Sequence, residues 1–68
     1  MKTLHILDNT GDTQIDLEVD TDLARQLFTE AQQNGKLIYG VIGSHNELMR
    51  DFTTAVDKIV IAPNYVGG

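Results

Sequence analysis

From Thr13 to Val19 the sequence alternates strictly, with Ile15, Leu17 and Val19 on one side and Gln14, Asp16 and Glu18 on the other. That period of two marks a strand with one buried face. Directly afterwards the spacing changes. Leu23, Ala24, Leu27, Phe28 and Ala31 fall on one side of a helix, while Arg25, Gln26, Glu30 and Gln33 point away. A strand and a helix that each hide a single face must hide them against a common core. A chain of 68 residues has room for one such core, so the pattern restricts it to a single two-layer α+β domain.

The remaining elements follow from punctuation. Asn9-Thr10-Gly11-Asp12 is a turn sequence with a glycine able to take positive φ, and Thr3 to Asp8 reads as the strand before it, so a β-hairpin opens the chain. Asp20 or Thr21 serves as the cap of a helix predicted over Asp22 to Gln33, and Asn34-Gly35 stops it. Leu37 to Ile42 and Lys58 to Ala62 are short apolar, β-branched runs, the second closed by Pro63, which has no N–H to give a ladder. Between them, Gly43-Ser44-His45-Asn46 reads as a turn. Residues 47–52 read either as an extended piece or as a helical turn anchoring Leu48, Met49 and Phe52.

The predicted order is therefore strand, strand, helix, strand, an irregular segment, strand. This order allows a four-stranded mixed sheet with the first and last strands parallel at its centre and the helix on one face, an arrangement that the preference for right-handed crossovers favours. This is the β-grasp, or ubiquitin-like, topology. It assigns residues 1–63 to the domain and 64–68 to a flexible tail.

Composition removes several classes of function. Without cysteine there is neither a disulfide framework nor a thiolate for zinc or nucleophilic chemistry. Ten acidic and five basic residues give a net charge of −5, a field that repels nucleic acid and anionic membranes. No apolar run approaches the roughly 20 residues of a membrane span, and the first residues lack a signal-peptide core, so a cytoplasmic location is expected.

The segment Asp57-Lys58-Ile59-Val60-Ile61-Ala62-Pro63-Asn64-Tyr65-Val66-Gly67-Gly68 resembles the end of the ubiquitin-like sulfur carriers of molybdopterin and thiazole synthesis. In those proteins a last apolar strand leads into a short tail ending in Gly-Gly. The element order and length match the smaller members over nearly the whole chain. One departure is that the turn before the last strand here is Thr53-Thr54-Ala55-Val56-Asp57, without the usual Gly-Asp pair, and only Pro63 follows the strand.

The resemblance implies a carrier or modifier rather than an enzyme. Gly68 would present its carboxylate to an E1-like adenylating enzyme, the ATP being used by that partner and no cofactor held by this chain. The activated Gly68 would then carry sulfur as a thiocarboxylate to a sulfur-accepting synthase, or form an amide with target proteins that an isopeptidase could reverse. Gly67 suits the approach because it lacks a Cβ that would clash in a narrow channel. Tyr65 and Val66 would serve as docking handles.

A second expectation concerns the sheet. Leu37, Tyr39 and Val41 share one side of their strand and Ile38 and Ile42 the other, with Val60 and Leu7 joining the first set. If the helix covers one face, the other exposes an apolar surface for partner binding, which alone would make the chain an interaction module with an unreactive C-terminus. Other constellations carry less. Ser44, His45 and Asp51 are the residue types of a nucleophilic trio, but no motif fixes their geometry. His5 and His45 lack ligand spacing and read as surface histidines. Asp8, Asp12, Asp16, Glu18, Asp20 and Asp22 form an acidic edge without the pattern of a calcium loop, and no metal site is expected.

Overall fold

The computed structural model describes residues 2–8 and 11–62. Pro63, the tail from Asn64 to Gly68 and the Asn9-Thr10 part of the first turn lie outside the described residues. The elements are β1 (Thr3–Asp8), β2 (Gly11–Asp16), α1 (Thr21–Gln33), β3 (Leu37–Ile42), β4 (His45–Leu48) and β5 (Lys58–Ala62). They form one mixed sheet in the order β2-β1-β5-β3-β4. β1 and β5 run parallel, as the crossover argument favours, and the other neighbours are antiparallel.

The sheet has five strands where four are expected. The additional strand, β4, contains His45 and Asn46, which the sequence places in a turn, so the β3–β4 turn narrows to Gly43-Ser44. Gly43 takes φ +59, a left-handed conformation that glycine adopts without steric cost. All four residues of β4 are exposed. A strand at a sheet edge with neither face buried needs no hydrophobic alternation, so it leaves no periodic trace.

β2 also departs from its pattern. The alternation continues to Val19, but the strand ends at Asp16. The Asp16 Oδ1 accepts hydrogen bonds from the Glu18 N–H at 2.8 Å and the Val19 N–H at 3.1 Å, and this side-chain turn diverts the chain from the sheet. Leu17 is still fully buried, its N–H bonded to the Lys2 carbonyl, whereas Val19 is 79% exposed.

The helix begins at Thr21, one residue early. Asp20 occupies the cap position without a side-chain cap bond, and the Thr21 hydroxyl donates to the Leu17 carbonyl at 2.7 Å. At the other end Gly35 (φ +70) donates to the Gln32 carbonyl and Lys36 to the Ala31 carbonyl, the paired closure that Asn34-Gly35 foretells. Ala24, Phe28 and Ala31 are buried and Leu27 packs beside them. Leu23, expected on the same face, is 45% exposed, because at 3.6 residues per turn it lies about 90° round the helix from the centre of that stripe.

The core between helix and sheet is Leu4, Ile15, Leu17, Ala24, Phe28, Ala31, Ile38, Val56, Ile59 and Ile61. After β4 the chain crosses back over it. Met49 donates its N–H to the Ile38 carbonyl, and Phe52 meets Phe28 edge-on with ring centroids 5.6 Å apart, under the Arg25 guanidinium. Met49 and Phe52 thus anchor this segment, which starts as the extended piece of the two alternatives and forms no helical turn. Leu48 does not: it is 61% exposed and belongs to the opposite side of the sheet.

Candidate functional site

The helix covers one face of the sheet and leaves the other open. Cross-strand partners share a face, so the register fixes what the open face carries. One row reads Gln14, His5, Val60, Tyr39, Leu48 from β2 to β4. The adjacent row reads Asp16, Thr3, Lys58, Val41, Asn46. Beyond the first row stand Ala62 paired with Leu37 and, on the outer strands, Leu7 paired with Asp12.

The face is apolar at its centre. Tyr39, Val41 and Val60 are half-buried, and Leu7, Leu37 and Leu48 are 37%, 49% and 61% exposed. Tyr39, Val41, Asn46 and Val60 line an open depression of about 250 Å³.

Hydrogen bonds brace both ends of the face. His5 Nε2 lies 2.9 Å from Thr3 Oγ1 and 3.3 Å from Gln14 Nε2. His5 is thus a bridge between β1 and β2 rather than a free surface group. Just before β5, Asp57 ties together two strands and a turn: its N–H donates to the Val41 carbonyl of β3, its carbonyl accepts from the Thr3 N–H of β1, and its Oδ2 accepts from the Gly43 N–H at 2.9 Å.

The structure places Leu37, Tyr39, Val41 and Val60 on one face, with Leu7 on that same face, as the sequence groups them. Sequence reasoning missed Asn46 and Leu48, which enter the face through β4. The signal available for them was Gly43-Ser44, a glycine-led pair of the kind used in two-residue hairpin turns, directly after the run that ends at Ile42. Gly67, Gly68, Tyr65 and Val66 lie outside the described residues.

Ser44, His45 and Asp51 do not assemble. The His45 ring pairs with the Glu47 carboxylate at 3.3 Å, both side chains exposed, and no hydrogen bond among the described residues links the trio. Among the described residues no group of three or more His, Cys, Asp or Glu could hold a metal ion. No helix among them is long and apolar enough to cross a membrane.

No family model matches the sequence, and comparison with curated proteins and with solved structures gives no match.

Proposed function

We propose that this chain is a β-grasp, ubiquitin-like carrier or modifier that acts through Gly68. The observation that carries the reading is the route of β5. It lies between β1 and β3, hydrogen-bonded to both, and runs from Lys58 to Ala62 directly into the sequence Pro63-Asn64-Tyr65-Val66-Gly67-Gly68. A rigid central strand is a firm base from which to present a thin, glycine-ended tail. The order β2-β1-β5-β3-β4 with its parallel central pair, and one helix packed on a single face, supports the β-grasp assignment.

The chemistry needs an activating partner, because a carboxylate is a poor acyl donor. The partner joins the Gly68 carboxylate to the α-phosphate of ATP and releases pyrophosphate. Sulfide (HS⁻) supplied by a donor then attacks the acyl carbon and displaces AMP to leave a thiocarboxylate, or a lysine amine attacks it, displacing AMP and losing a proton to leave an amide. Gly67 keeps the approach free of side-chain bulk. Tyr65 and Val66 serve as handles, and Leu37, Tyr39, Val41 and Val60 supply the folded docking surface.

Removing Gly67 and Gly68 tests this reading. Retained folding with complete loss of ATP-dependent activation by the native adenylating enzyme is the expected result. Unchanged biological activity of the truncated chain would favour a second reading, an interaction module acting through the open sheet face alone. That reading draws on the depression lined by Tyr39, Val41, Asn46 and Val60.

A further inference from the structure

We infer that the open sheet face docks a protein segment that places one aliphatic side chain between Tyr39, Val41 and Val60, hydrogen-bonds through its backbone to Asn46, and carries basic residues toward β2. This deepens the docking role of the same face and does not depend on any reaction of the tail.

The size of the depression selects the kind of occupant. At about 250 Å³ and open to solvent, it is smaller than the roughly 300–1,000 Å³ of sites that enclose small molecules. It is ample for one leucine-sized side chain, and the exposed leucines at positions 7, 37 and 48 extend the apolar area around that anchor. Such an anchor within a wider apolar surround is the usual energetic centre of a protein interface.

Asn46 supplies the directional element. Its side chain is exposed on β4, lines the depression and has no hydrogen-bond partner among the described residues. A primary amide offers both a donor and an acceptor, and so matches a peptide unit of the incoming chain. An apolar anchor seated beside it would bring its own backbone within reach.

Charge decides among occupants. Asp12 and Asp16 stand on the β2 side of the face, Lys58 is the one cation in the two central rows, and the whole chain carries a charge of −5. A second copy would meet the same acidic edge and the same net charge, and an anionic membrane would be repelled. A segment with lysine or arginine beside its apolar anchor is complementary to both the edge and the overall field.

The test is a ¹⁵N-resolved titration of the full chain with three acetylated, amidated hexapeptides: Arg-Lys-Leu-Leu-Lys-Arg, Glu-Asp-Leu-Leu-Asp-Glu and Arg-Lys-Gly-Ser-Lys-Arg. The first is expected to shift the amides of Tyr39, Val41, Asn46, Leu48 and Val60 as one patch. Asn46→Ala should weaken that binding about three- to tenfold, the range of one net hydrogen bond. Asp12→Lys should weaken it further and flatten its salt dependence. Either variant is surface-exposed, so an otherwise unchanged spectrum confirms folding. The inference is overturned if the acidic peptide binds as well as the basic one, if the anchorless peptide gives the same shifts, if the shifts fall on another surface, or if none appears at millimolar peptide.

Discussion

The Asp57 carboxylate accepts a hydrogen bond from the Gly43 N–H at 2.9 Å, joining the residue that precedes β5 to the turn between β3 and β4. Fourteen residues apart in sequence, the two hold the hairpin that carries Asn46 against the central strand that leads to the tail. One side chain therefore ties the β3–β4 turn to the start of β5, at the end of that strand opposite the tail.

Asp57→Ala should destabilise the fold by about 1 kcal/mol, below the roughly 1.5–3 kcal/mol of a bond to a charged group because Asp57 is exposed. Asp57→Asn, which keeps an acceptor oxygen, should recover part of that loss. Urea denaturation of the three proteins measures it, and equal stability of wild type and Asp57→Ala would show that the bond contributes nothing.

Gly43 and Gly40 are glycines for different reasons. A Cβ at Gly43 would meet nothing within 4 Å, so the penalty for Gly43→Ala is conformational, about 1–2 kcal/mol for a left-handed alanine. Gly43→Asn should be tolerated better, since asparagine enters that region more readily. If alanine and asparagine destabilise equally, the turn has relaxed to another conformation.

At Gly40 the obstacle is crowding. An added Cβ would lie 2.9 Å from Met49 Sδ, 3.0 Å from Met49 Cγ and 3.1 Å from Val56 Cγ1. Gly40→Ala should cost about 1–3 kcal/mol as an overpacking change. Met49 is flexible and Val56 is not, so adding Met49→Ala should relieve only part of the strain in a double-mutant cycle. Full additivity of the two substitutions would contradict this packing.

The Phe28 ring is 2% exposed and meets Phe52 edge-on, so Phe28→Ala should cost about 3–5 kcal/mol. That is much of the stability of a domain this small. Leu48→Ser, on the open face, should leave the denaturation midpoint nearly unchanged. A comparable loss at Leu48 would place it in the core rather than on a docking surface.

Legibility in the sequence followed burial. α1, β3 and β5 were readable because each presents an apolar stripe to one core, and Phe28, Ile38 and Ile59 all sit where their periodicity places them. β4 was not, because an edge strand exposed on both faces needs no pattern. The alternation through Val19 overstated β2, since one aspartate side chain, Asp16, captures two backbone N–H groups and ends the strand. The four apolar residues of the face followed from strand alternation. Asn46 required the pairing of Val41 with β4, which is a long-range fact.

The proposed role of Gly68 is to carry a transferable group. Intact-mass measurement of the protein purified from its own cells tests it most directly. The prediction is a fraction heavier by one sulfur-for-oxygen exchange, lost on alkylation of the thiocarboxylate or on deletion of Gly68, or else a fraction joined through Gly68 to a larger protein. Finding only the unmodified mass, with Gly67 and Gly68 present and the adenylating partner active, would contradict the claim.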